Sequence, residues 1–156
     1  MEYLTLKWIH ILSATLMFGT GLGSAFYKFM ADRSGNLEAI AHTNRIVVWA
    51  DWLFTTPTII LQPITGVLLA FALGHPLTSS WLVGSILLYV IAGLCWLPVV
   101  YLQILMKSLS QSAVTTQSPL SPDYHRLARA WFWLGVPAFT ALVVIYYLMI
   151  FKPRLW

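Results

Sequence analysis

Four stretches of this chain stay apolar for longer than a soluble helix needs, at residues 4–29, 46–73, 81–106 and 130–151. Crossing a hydrocarbon core of roughly 30 Å takes about 20 helical residues, each rising about 1.5 Å. Backbone polar groups cannot go unpaired in lipid, so runs of this length must be helical. Strand-period alternation is absent, which disposes of a β-barrel. The predicted fold is therefore all-α, an integral membrane bundle of four antiparallel transmembrane helices forming a single domain over residues 1–156. Composition agrees: 9% of residues are charged, where a soluble domain carries about 25%. Eight Trp among 15% aromatic residues suit helices that cross two membrane interfaces. The first run is too long for a signal-peptide core and has no suitably placed small-x-small cleavage site, so it reads as a retained helix.

The formal charge of +4 does not mark a nucleic-acid binder, because the nine Lys and Arg residues sit at the ends of the apolar runs. A single cysteine, Cys95, builds neither a disulfide framework nor a Cys-based metal site within one chain. With four crossings, both termini share a side with the 74–80 turn. Loops 31–45 and 107–129 collect Lys28, Arg33, Arg45, Lys107, Arg126 and Arg129, against Lys7, Lys152 and Arg154 on the terminal side. Six against three places those two loops in the cytoplasm and the termini outside. Segment 31–45 reads as a short polar loop carrying a helical turn. Segment 108–129, rich in Ser, Thr, Gln and Pro, is expected to be the longest and most mobile link.

Packing signals are also legible. Gly19 and Gly23 form a GxxxG spacing that would let a neighbouring helix approach closely, within the chain or as a homo-oligomer through that face. Pro57, Pro63, Pro98 and Pro137 each remove a backbone donor and are expected to bend their helices.

Few ionisable side chains fall inside the spans, chiefly Lys7, His10, Lys28 and Asp51, and each is a functional hypothesis by default. Lys7 and Lys28 lie near the ends of their helix and are expected to snorkel to the headgroups. His10 sits deeper, about 9 Å below the outer end by helical rise. An imidazole at that depth needs a partner, and two readings stand: a structural hydrogen bond to a Tyr or Gln across the bundle, or an axial bond to haem iron. Lys7 lies one turn from His10 on the same face, where it would meet a haem propionate. Counting depth on the other helices gives Gln62, Thr65, Tyr89 and Tyr146 as the polar neighbours of His10. His75, just past the second span, is the other histidine on that side and is shallow for a second axial ligand. Asp51 lies about five residues inside the opposite end of the second span, where a carboxylate must pair or take up a proton. A structural ion pair with Arg126, Arg129 or Lys28 is the first reading, and a proton-relay carboxylate is the second. His42 and His125 fall in polar loops. No GxSxG or HExxH run occurs, and the Gly-Thr-Gly-Leu-Gly of the first span has no strand before it to make a dinucleotide site.

Leu6-Lys7-Trp8-Ile9-His10-Ile11-Leu12-Ser13-Ala14, Phe18-Gly19-Thr20-Gly21-Leu22-Gly23, Ala50-Asp51-Trp52-Leu53-Phe54-Thr55-Thr56-Pro57 and Leu61-Gln62-Pro63-Ile64-Thr65-Gly66 resemble the bacterial predicted integral membrane proteins grouped as domain of unknown function 2269. Cys95-Trp96-Leu97-Pro98-Val99-Val100 and Gly135-Val136-Pro137-Ala138 continue the likeness over nearly the whole chain. It implies a multi-pass protein of the bacterial inner membrane and brings no activity with it. A more distant resemblance is to the HemJ-type membrane protoporphyrinogen oxidases, four-helix proteins that bind haem b and carry a Lys-x-x-His pair in the first helix. That resemblance implies Lys7 and His10 as the haem-contacting pair. The chain departs from it at Ser24-Ala25-Phe26-Tyr27-Lys28 and at Ser80-Trp81-Leu82-Val83-Gly84, where those oxidases carry further histidines.

The leading expectation is a haem b-binding membrane redox protein acting on a lipid-soluble quinone or porphyrin. His10 would ligate iron, Lys7, Gln62, Tyr89 and Tyr146 would line the cofactor, and Asp51 would carry a proton. The alternatives are a non-catalytic subunit or scaffold that docks a partner through the Gly19/Gly23 face and the long 108–129 link, and a small proton-coupled transporter using the Asp51 and His10 layers.

Overall fold

The computed structural model describes residues 2–156. It consists of α1 (Glu2–Ser34), α2 (Leu37–Ala50), a π-helical turn (Asp51–Thr55), α3 (Thr56–Ala72), α4 (Ser80–Thr116) and α5 (Pro122–Phe151). Helix α2, the π turn and α3 run on as one span, Leu37–Ala72, so four helices are long and apolar enough to cross a membrane. The protein is a multi-pass integral membrane bundle, as its sequence predicts.

Burial is inverted relative to a soluble domain. Twelve polar or charged side chains are buried beside fifteen apolar ones. Meanwhile Trp8, Trp49, Trp133 and some three dozen other large apolar side chains stay exposed. Lipid is as apolar as leucine, so nothing drives apolar groups inward, whereas hydroxyls and amides must find each other.

The helices outrun the apolar stretches on the side of the longer links. At 37 residues α4 is about 55 Å long, well beyond a core of roughly 30 Å. Segment 31–45 is therefore mostly helix, its break confined to Gly35, with φ of 66°, and Asn36, whose side chain caps α2 by accepting the Ala39 N–H. The 108–129 link shrinks to residues 117–121. Gln117 closes α4 in the left-handed region, and Ser121 caps α5 with Pro122 at its first position. Ser, Thr and Gln lower hydropathy without forbidding helix once the chain has left the membrane, which is why this stretch resembles a loop in sequence.

The four spans close at one end and part at the other. On the side of the longer links, Ile40, Val99, Met106, Tyr124 and Trp131 form one apolar core drawn from α2, α4 and α5. On the side of the termini, α1 packs on α3 and α4 packs on α5, with few contacts between the two pairs. A cleft of about 620 Å³ lies between them, lined by α1, α3, α4 and α5.

Prolines shape the second span. Pro57 has no N–H for the Leu53 carbonyl, and its ring would press on that carbonyl in a regular helix. The preceding turn widens instead into π register, with Thr56 N–H and Oγ1 both donating to Asp51 O. Pro63 likewise orphans the carbonyl of Ile59, and the hydroxyl of Tyr89 on α4 donates to that oxygen. A cross-helix phenol thus replaces the missing backbone donor.

A candidate ligand cleft built around His10

His10 enters the cleft from α1 and lies against α3. Its Nδ1 is 2.7 Å from Thr65 Oγ1. The same hydroxyl lies 2.7 Å from the carbonyl of Leu61, one turn back. A threonine hydroxyl has one proton, and a carbonyl only accepts, so that proton goes to Leu61 O. Oγ1 must then accept from the ring, which puts the imidazole proton on Nδ1. Nε2 is left as a lone-pair nitrogen in a cavity-lining side chain.

The backbone beneath the ring is held as well. Gln62 Nε2 donates to His10 O at 2.9 Å and to Ser13 Oγ at 2.8 Å, and Ser13 Oγ donates to His10 O at 3.1 Å. Gly66 leaves the ring its seat, since a Cβ there would stand 3.3 Å from His10 Cε1. One turn of α3, from Gln62 to Gly66, therefore fixes the position, the orientation and the tautomer of one histidine.

Lys7 and His10 line one cleft with Gln62, Tyr89 and Tyr146 of the depth count, and Thr65 of that count bonds His10. Their partners differ from expectation. His10 bonds Thr65 rather than a Tyr or Gln, Gln62 holds the His10 backbone, and Tyr89 serves the Ile59 carbonyl. The ring of Tyr146 meets Phe18 edge-on with centroids 5.4 Å apart. Lys7 is exposed at the rim, its ammonium 6.0 Å from the centre of the Tyr3 ring. His75 bonds Lys152 and stacks edge-on against Trp81, away from the cleft.

Asp51 stands apart from this cleft and enters no ion pair among the described residues. Its Oδ1 accepts from Thr55 Oγ1 at 2.9 Å. Arg126 pairs instead with Asp123 on the surface. Lys28, expected to snorkel, is 1% exposed. Its ammonium donates to Asp32 Oδ2 at 2.8 Å and to Tyr124 Oη at 3.1 Å, and it lies 5.2 and 5.4 Å from the ring centres of Tyr124 and Trp131. Tyr124 in turn donates to Asp32 Oδ1 at 2.6 Å and accepts from Asn44, which also donates to Ser110. This knot ties α1, α2, α4 and α5. Its signal in the sequence is that Asp32 follows Lys28 by one helical turn, a spacing hidden by treating Asp32 as part of a loop.

The GxxxG expectation is corrected in one respect. No side chain or backbone of another helix lies within 4 Å of a Cβ built at Gly19, and at Gly23 such a Cβ meets only Tyr27 of the same helix. The glycines line an outward-facing groove of about 600 Å³ between α1 and α2 instead of a helix contact within the chain.

No group of three or more His, Cys, Asp or Glu gathers among the described residues. No curated protein and no solved structure matches the chain, and the more distant likeness to haem-binding oxidases has no counterpart among these comparisons. Residues 4–153 match the family described as predicted integral membrane protein, DUF2269. The protein belongs to that family, as its motifs in all four spans imply.

Proposed function

We propose that the cleft binds a planar, largely apolar, lipid-soluble ligand, and that this ligand is haem b held through Nε2 of His10. The observation that carries the reading is the bond from His10 Nδ1 to Thr65 Oγ1, which fixes the tautomer with Nε2 unprotonated. An imidazole that binds metal through Nε2 has that arrangement, with Nδ1–H donating to a partner that orients the ring. The other residues present fit the group. The walls are mostly apolar side chains of four helices, and the volume of about 620 Å³ falls within the range of ligand sites, about 300–1,000 Å³. Lys7 at the rim is placed to meet a carboxylate such as a propionate. Bound haem would supply one-electron exchange, with a quinone or a porphyrin as lipid-soluble partner. By the charge bias, the cleft faces the outer leaflet and the longer links face the cytoplasm of a bacterial cell.

The test is an absorption spectrum of the purified protein, as isolated and after haem is added. A Soret band is expected that His10→Ala removes or shifts while the helical circular dichroism is retained. A spectrum that is the same with and without His10 sinks the reading.

A further inference from the structure

Asp51, Thr55, Thr58, Gln62 and Thr65 alternate four and three residues apart along the second span, so they share one face. All five are buried, none more than 8% exposed. A polar stripe thus runs from the π turn to the partner of His10. Its hydroxyls are satisfied locally: Thr58 donates to Phe54 O and Thr65 to Leu61 O, each a turn back. The end at Asp51 is different.

Asp51 is 5% exposed, and its Oδ2 is buried with no hydrogen-bond partner. Gln103 on α4 lies within hydrogen-bonding reach of that carboxyl. It is 4% exposed, and its Oε1 is the other buried oxygen without a partner among the described residues. Oδ2 and Oε1 both accept when Asp51 is ionised, so they cannot satisfy each other, and a donation from the Gln103 amide N–H to the carboxylate would still leave Oε1 without a partner. A buried carboxylate with neither cation nor full hydrogen bonding is the costliest arrangement available. The surrounding charges do not relieve it. On α1, Lys28 and Asp32 are taken up by each other. Glu38, His42 and Arg45 of α2 are exposed, Lys107 of α4 is half-buried, and Tyr124 of α5 belongs to the Lys28 knot. A divalent cation would require about six oxygens, where two are unspoken for.

We propose that Asp51 and Gln103 form a buried site for an exchangeable proton. The proton binds Oδ2, making an O–H that donates to Gln103 Oε1, so both orphan oxygens are satisfied at once. One O–H bond forms at Oδ2 as one O–H bond of a hydronium ion breaks and leaves water, and the carboxyl changes from −1 to neutral; release reverses each change. That the proton serves the cleft along the stripe rests on the ligand reading above. The site itself does not.

Infrared difference spectroscopy of the purified chain in nanodiscs, without added ligand, tests it. At neutral pH the spectrum should contain the carbonyl band of a protonated carboxyl, shifted in heavy water and lost in Asp51→Asn. Thr55→Val, which removes the bond to Oδ1, should shift that band and keep it, and serves if the Asp51 variant does not fold. His10→Ala should leave it in place, which separates this outcome from the fate of the haem reading. A band untouched by Asp51→Asn, or one that added sodium replaces at constant pH, would overturn the proposal.

Discussion

The two ends of the bundle both bury polar groups, and they handle them in opposite ways. In the Lys28 knot the polar side chains bond one another within the chain: ammonium, carboxylate, phenol, amide and hydroxyl close on one another. Around His10 an equally dense set of bonds holds a ring so that one of its nitrogens is kept out of them. The first arrangement joins four helices. The second spends its bonds on aiming an atom. Burial of a polar group is thus no guide to function by itself; what separates the two regions is whether the local bonds close on one another or hold one atom free toward a cavity.

The largest way to break this contrast is at the knot. Lys28→Met strips the cation from Asp32 and a donor from Tyr124, and should cost about 3 kcal/mol of stability. Unfolding in mixed detergent micelles measures it. A loss below about 1 kcal/mol would place Lys28 among surface pairs and dissolve the distinction.

Next in size is Thr65→Val. It keeps the shape of the side chain and removes the acceptor that fixes the His10 tautomer. Loss of such an outer partner weakens a metal site about 10–100-fold, so haem titration should move by that factor. The melting temperature should change far less than in the Lys28 variant, and equal changes in both would make Thr65 a packing residue.

The smallest effect compares two glycines. Gly19→Ala fills open space and should leave both stability and haem affinity unchanged to within about 0.5 kcal/mol. Gly66→Ala puts a methyl 3.3 Å from the His10 ring and should displace it by a few tenths of an ångström, visible as a shifted haem spectrum. Should Gly19→Ala alter the apparent mass in detergent, the outward groove is a contact between copies.

Much of this was legible in sequence because the membrane reduces the problem to depth. Rise per residue alone puts Gln62, Tyr89 and Tyr146 level with His10, and the cleft contains all of them. Rotation about each helix axis is what depth leaves open. Gln62 therefore emerges as a clamp on the His10 backbone, and Tyr89 as the substitute donor for a carbonyl orphaned by Pro63. The burial of Lys28 is hidden in the sequence for another reason: its partner Tyr124 is 96 residues away and starts a helix in a stretch whose composition reads as loop. Gln103 carried a fainter signal. It shares a buried face of α4 with Val99, Met106 and Ser110, at steps of four, three and four.

The bond between Tyr89 and Ile59 also bears on how the protein enters its membrane. Until the third span is in place, the second carries a carbonyl with no donor at the level of Pro63. Its partner is translated 30 residues later. During biogenesis the second span therefore has reason to linger beside the insertion machinery, or in a shallow and hydrated position, until the third brings its phenol. Insertion of these two helices is coupled through a single oxygen, and Tyr89→Phe should delay integration of the second span more than that of the first.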